Sequence, residues 1–181
     1  MGRIAASLFM TLDGVVGEPE RWQAPYFNDE MGATLGRAMA TSEGFLLGRV
    51  TYEEWAGFWP NQGDENPMAE AMNRARKYVV STTLKSVDWE NSTLLEGEVP
   101  QAVASLKENV GTDLQISGST TLVRSLLEAG LLDELRLMIH PVVVASGRRL
   151  FEEGDSYRLQ LTESTAFSTG GLATTYRLGS G

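Results

Sequence analysis

The sequence predicts an α/β fold: a mostly parallel central sheet covered by helices on both faces, finished at its C-terminal end by antiparallel strands. Three features of the 181-residue chain carry this prediction. Apolar runs of strand length alternate with helical spacing from Arg3 to Ala129. Two of those runs hand over to a helix through glycine, and beyond Gly130 the spacing changes to strand alternation with no further long helical pattern.

Arg3 to Leu12 reads as a long, largely buried strand that stops at the turn dipeptide Asp13-Gly14, followed by a loop from Gly17 to Pro25. Asn28 or Asp29 caps a helix in which Met31, Leu35, Ala38 and Met39 recur at helical spacing; Ser42-Glu43-Gly44 then leads into the strand Phe45 to Leu47. This is a first β-α-β unit. A short helix through Tyr52 and Trp55 follows Gly48-Arg49, a polar loop spans Asn61 to Asn66, and Pro67 opens a helix with Met68, Met72 and Ala75 on one face. Lys77 to Ser81 is a third strand, with hydroxyls crowding its end in Ser81-Thr82-Thr83. Leu94-Leu95 is a short strand, Pro100 to Asn109 a helix, and Leu114 to Ser117 a strand that enters the turn Gly118-Ser119 before a helix from Thr120 to Ala129. Leu135, Leu137 and Ile139 then alternate with Arg136, Met138 and His140. Tyr157 to Phe167 and Leu172 to Leu178 flank Ser168-Thr169-Gly170-Gly171, a hairpin signal. Residues 1–181 are expected to form a single domain, with no repeat or linker.

Composition narrows the chemistry. With no cysteine, thiolate catalysis, zinc-thiolate and iron–sulfur sites are excluded, and the lone His140 before Pro141 reads as structural, so no metal is expected. The net charge of −9 argues against nucleic-acid binding; Arg74, Arg76 and Lys77, and the pair Arg148-Arg149, read as solvated faces. Ile4 to Leu12 is too short for a membrane span or a secretory segment, so a soluble cytoplasmic protein is expected.

The two glycine junctions, Gly48-Arg49-Val50-Thr51-Tyr52-Glu53 and Gly118-Ser119-Thr120, are the strongest functional signal. The first turn of a helix offers backbone N–H groups without intrahelical partners, which attract phosphate, and Arg49 adds a permanent charge. Two such openings in one small α/β chain suit a ligand with several phosphates. The alternative is that each glycine merely reverses the chain.

Four blocks then resemble a known family: Ser7 to Asp13-Gly14; Leu47 to Glu53; Val79 to Thr83; and the run from Ile116-Ser117-Gly118-Ser119 through Gly130-Leu131-Leu132-Asp133-Glu134-Leu135 to Pro141 and Gly147-Arg148-Arg149-Leu150-Phe151. In order and type they are similar to the dihydrofolate reductase-like superfamily, above all the C-terminal reductase domain of the bacterial bifunctional riboflavin-biosynthesis deaminase-reductase. The resemblance implies a three-layer α/β/α fold, a homodimer, and an NADPH-dependent reductase transferring hydride to a small planar heterocycle, similar to 5-amino-6-(5-phosphoribosylamino)uracil reductase; the alternatives are a reductase of dihydrofolate, a pterin or another small metabolite, and a non-catalytic dimer that binds nucleotide or pterin. It places Gly48, Arg49 and Thr51 at the cofactor phosphates, and Ser81 and Thr82 near the adenosine 2′-phosphate. Ser117, Gly118, Ser119, Thr120, Leu122 and Val123 would flank nicotinamide and pyrophosphate. Ala6, Val16 and Gly17 would meet the nicotinamide end through backbone groups, with Asp13 at the rim between cofactor and substrate.

Two departures stand out. Dihydrofolate reductases proper carry a buried carboxylate on the first helix that binds the pterin; here Asp29 and Glu30 lie only near that place, and Asp29 equally suits a helix N-terminus. The zinc ligands of a deaminase domain are absent from the chain, so no deamination is expected of it. Asp13, Glu30 and Asp29 are therefore the catalytic candidates, and a turn aspartate before glycine is also a common backbone cap. Among the aromatics of the first third, Tyr26 and Trp55 are the candidates for stacking on a flat heterocycle, the others serving the core or a dimer interface.

Overall fold

The computed structural model describes residues 2–63 and 65–179; the ends of the expected 1–181 domain lie outside them. The elements follow in the order β1 (Ile4–Thr11), α1 (Asp29–Ala40), β2 (Ser42–Gly48), α2 (Arg49–Phe58), α3 (Pro67–Arg74), β3 (Arg76–Val80), β4 (Ser92–Leu95), α4 (Val99–Asn109), β5 (Asp113–Ser117), α5 (Thr120–Glu128), β6 (Glu134–His140), β7 (Leu159–Ala166) and β8 (Leu172–Leu178). They build one eight-stranded sheet in the order β4-β3-β2-β5-β1-β6-β8-β7. Pairing is parallel from β4 to β6, whereas β8 runs antiparallel to both β6 and β7. The C-terminal ends of β3, β2, β5 and β1 therefore share one edge, where open parallel sheets collect ligands.

Strand parity divides the interior. Ile4, Ala6 and Leu8 of β1 pack with Leu122, Val123 and Leu126 of α5 and Val103 of α4 in the larger core. Phe9 faces the other side, against Met31 of α1, Met138 and Phe167. Phe45, Leu47 and Val79 meet Tyr52, Met72 and Trp89 in a further cluster under α2 and α3. Helices thus cover both faces, giving the expected three-layer α/β/α arrangement. Among the described residues no helix is long and apolar enough to cross a membrane.

Element boundaries differ from the sequence reading where polar residues are buried. β2 begins at Ser42 instead of Phe45 because the Ser42 hydroxyl bonds the carbonyls of Asp113 and Gly44, which carries a polar strand start across a register shift against β5. Asn28 is the cap of α1, accepting from the Met31 N–H. Lys77 is fully buried and does not belong to a solvated face. Its Nζ donates to the carbonyls of Met72 and Asn73 at the end of α3, over the Trp89 ring, and burial pushes the ammonium down to about 8.

At the opposite end of the central strands, Arg3, Arg136 and Arg177 converge on the buried Glu134. Burial works against the Glu134 charge, but hydrogen bonds from Arg177 and Arg136 outweigh it and hold the carboxyl below its ordinary range. The pairing fixes the start of β1 and β6 to the returning strand β8.

Candidate active site

The two glycine junctions abut. β2 and β5 are neighbours, so their C-terminal ends release α2 and α5 side by side. A Cβ at Gly48 would overlap Ser119 Oγ, and one at Gly118 would stand 3.4 Å from Thr51 Oγ1. Gly118 has φ +80° and Ser119 φ +56°, a left-handed pair that turns the chain sharply into α5. Both helix N-termini therefore open onto the same space, with their unpaired N–H groups toward it.

That space is one segment of a continuous groove. The outer segment, about 410 Å³, is lined by Gly48, Arg49, Thr51, Ser81, Thr82 and the start of α5. It shares Thr51, Ser119, Thr120 and Arg148 with a middle segment of about 370 Å³, which reaches Ser7, Val16, Ser117 and Gly118. The middle segment in turn shares Ser7, Leu8, Phe9, Trp55 and Ser117 with an inner cavity of about 500 Å³ under α1. Each volume is of the size that small-molecule sites occupy.

Most residues expected at a cofactor line this groove: Gly48, Arg49, Thr51, Ser81, Thr82, Ser117, Gly118, Ser119, Thr120, Leu122 and Val16. Arg49 is half exposed and, among the described residues, held only by Glu53 at 2.8 Å, a surface pair that a stronger anion displaces. The Ser81 oxygen already accepts from the N–H groups of Thr83 and Leu84, so its remaining capacity is as a donor. Gly17 backs the groove: its N–H bonds the Arg148 carbonyl and its own carbonyl accepts from Trp22 Nε1.

Two expected residues are displaced into the core. Ala6, expected to reach a ligand through its backbone, has no exposure: it is paired on both sides, with Ile116 of β5 and Leu135 of β6, and its side chain faces α5. Val123 is likewise fully buried on the inner face of α5. Backbone approach to a ligand in this part of β1 falls to Ser7, Leu8 and Phe9.

The catalytic candidates are spent on structure. The Asp13 carboxylate accepts from the Thr11 hydroxyl at 2.6 Å and from the N–H groups of Ala145 and Val144, so it ties the end of β1 to the loop after β6. These bonds, the Thr11 hydroxyl first, hold its carboxyl below the usual range. Glu30 accepts from the Ser168 N–H and hydroxyl and from Asn28, pinning α1 to the β7–β8 turn, and the Ser168 N–H leads in lowering its carboxyl. Asp29 is exposed in the first turn of α1, where its charge suits the helix N-terminus. A carboxyl held low is a poor proton donor at neutral pH.

Tyr26 stands edge-on to His140 at 6.0 Å and lies outside the cavity, while its neighbour Phe27 lines it. The short helical turn Ala24–Tyr26 directs the tyrosine inward. His140 is fully buried, hydrogen-bonded through Nδ1 to the Met138 carbonyl and enclosed by Trp22, Phe9 and Tyr26, in keeping with a structural role. Trp55 lines both the middle segment and the cavity, at their junction.

The groove also contains residues the sequence reading passed over. Arg148, read as part of a solvated face, borders the outer and middle segments, and its carbonyl receives Val16 N–H at 2.8 Å. Glu54 lines the middle segment, and Trp59 and Met68 the cavity. The Gly147-Arg148 turn was the available signal for Arg148, since only its junction with Val15 to Gly17 brings it over the groove. Among the described residues no group of side chains could hold a metal ion.

A comparison with known sequences decides the family: residues 3–173 match the RibD C-terminal domain. The chain belongs to the RibD C-terminal domain family. Its sequence is 28% identical over 179 residues to the uncharacterized protein YyaP of Bacillus subtilis (strain 168), covering 96% of this chain and 94% of that one. Among solved structures, it is similar to a candidate riboflavin-biosynthesis protein of Shewanella sp. PV-4, with a TM-score of 0.79, 18% identity and coverage of 98% and 99% of the two chains. It is also similar to dihydrofolate reductase of Enterococcus faecalis complexed with NADP(H), with a TM-score of 0.63, 17% identity and coverage of 99% and 98%. The RibD C-terminal domain and dihydrofolate reductase thus share this three-layer fold.

Proposed function

We propose that this protein is an NADPH-dependent reductase that transfers hydride to a small planar heterocycle, a reaction of the class performed by 5-amino-6-(5-phosphoribosylamino)uracil reductase. The continuity of the groove supports it most directly: two helix N-termini, fit for phosphates, lead through Ser117-Gly118 into an aromatic cavity that adjoins them. The donor set fits the cofactor. Gly48 and Gly118 allow close backbone approach; the α2 and α5 N–H groups and Arg49 would hold the diphosphate, Ser81 and Thr82 would meet a 2′-phosphate, and Arg148 borders the groove where the outer and middle segments meet. NADPH bound there supplies a hydride to an electron-poor carbon of the acceptor.

The chain's own contribution is placement and exclusion of water. Trp55 at the junction and Phe9 in the cavity wall hold a flat ring against the middle segment, with apolar walls that keep the reacting carbons close and dry. Asp13 and Glu30 are committed to structural hydrogen bonds, so neither is the proton donor in this reading. The reading includes a cytoplasmic homodimer. The edge strand β7 carries an almost wholly exposed surface with Leu161 half exposed, a face suited to a second copy.

A fluorescence titration with NADPH and NADH tests the reading. The expected result is micromolar affinity for NADPH, weaker for NADH, falling about tenfold in Arg49→Ala; failure to bind either nucleotide removes it. Binding without oxidation by any small heterocyclic acceptor converts the protein into a nucleotide-binding relative of the reductases.

A further inference from the structure

The inner cavity carries no charge. Its walls are Phe27, Leu35, Phe45, Trp55 and Met72 with neighbouring apolar groups, and no Asp, Glu, Lys, Arg or His is among its lining residues. Recognition of a phosphoribosyl group uses a guanidinium or ammonium, and recognition of a pterin uses a carboxylate on the helix that covers it. α1 turns Gly32, Leu35, Gly36 and Met39 toward the cavity, while its acidic residues sit in the first turn, with Glu30 on Ser168. The approach through the middle segment is bordered by Glu18, Glu20 and Glu54 against a single cation, Arg148, so it disfavours an anionic acceptor as well.

Polar groups of the wall are satisfied internally: the Ser7 hydroxyl donates to Gln115 Oε1 at 3.2 Å, and Gln115 Nε2 reaches the Ala38 carbonyl at 3.4 Å. A charged ligand group entering this cavity would be desolvated without an ionic partner among the lining residues.

Resting on the reductase reading above, we propose that the acceptor is an uncharged, planar, mostly apolar molecule. Phosphorylated ribosyl compounds and the carboxylate-tailed folates are poor occupants. The charge-free cavity separates this chain in substrate class from a reductase of phosphoribosyl substrates while leaving the cofactor half alike.

Calorimetric titration tests it with 2-quinolone, a neutral bicyclic amide, and 4-oxoquinoline-2-carboxylate, which adds an anion to a similar ring; NADPH is titrated in parallel. The expected result is binding of 2-quinolone at least about tenfold tighter than the carboxylate, as desolvating an unpaired anion demands. Met68→Arg at the exposed rim narrows or reverses the preference for the neutral probe. Equal or tighter binding of the carboxylate overturns the proposal, as does absence of 2-quinolone binding in a protein that still binds NADPH. Loss of NADPH binding alone, with the neutral preference intact, removes the reductase reading and not the character of the cavity.

Discussion

The outer and inner halves of the groove are built on opposite principles. The outer half, where α2 and α5 begin, is made of backbone: glycine, Ser and Thr at strand ends, with Arg49 and Arg148 at its border. The inner half is made of side chains, among them Phe9, Phe27, Phe45, Trp55 and Trp59, brought in from five different elements and loops. A site made of backbone is fixed by the fold and tolerates little added volume. A site made of large side chains is free to change its ligand while the fold stays put. The difference teaches that cofactor and acceptor specificity are separable here, and each half can be disturbed without the other.

Gly48→Val is the harshest way to break the outer half. Its added carbons collide with Ser119 Oγ at the meeting point of the two helix N-termini, so NADPH affinity falls by about a hundredfold or more, while the neutral-probe affinity of the cavity is retained. Calorimetry with both ligands on a folded variant reads the contrast directly. Arg49→Ala follows with about a tenfold loss for NADPH and an unchanged melting temperature, because the exposed pair with Glu53 adds little stability.

The fold responds to pH through His140, which packs behind Phe9 of the cavity wall. Burial pushes this imidazole below its ordinary range, so the folded chain keeps it neutral while the unfolded chain protonates it near 6.5. Its contribution to stability is whole above that value and is lost as pH falls through the folded-state value. A melting series from pH 8 to pH 5 is expected to fall below about pH 6.5, and His140→Gln is expected to flatten the fall. The smallest effect is expected at Asp13: Asp13→Asn changes kcat by less than about threefold, well short of the hundredfold or more that loss of a general acid brings. A hundredfold loss of kcat with unchanged stability returns Asp13 to the chemistry.

The outer half was legible in the sequence because its parts are contiguous. Gly48-Arg49-Val50-Thr51 and Ser117-Gly118-Ser119-Thr120 each combine a strand end, a turn and a helix start within a few residues, and adjacency of β2 and β5 does the rest. Ala6 lies deep in β1, paired on both sides by β5 and β6, and Val123 faces inward from α5; neither strand order nor helix facing is written in the local sequence. The inner half was legible only as a list of aromatics. Trp55 was separable from Tyr26 only by the turn at Ala24–Tyr26, which gives Tyr26 to His140 and Phe27 to the cavity. Lys77 shows the same limit: adjacent to Arg76 in the sequence, it reads as surface, and only the approach of the end of α3 buries it.

Amide hydrogen exchange with and without NADPH tests most directly whether the two helix openings grip one dinucleotide. Slowed exchange is expected together at residues 48–52 and 117–122, with a weaker effect at 81–83. Protection at only one of the two openings, or at neither under saturating nucleotide, contradicts it.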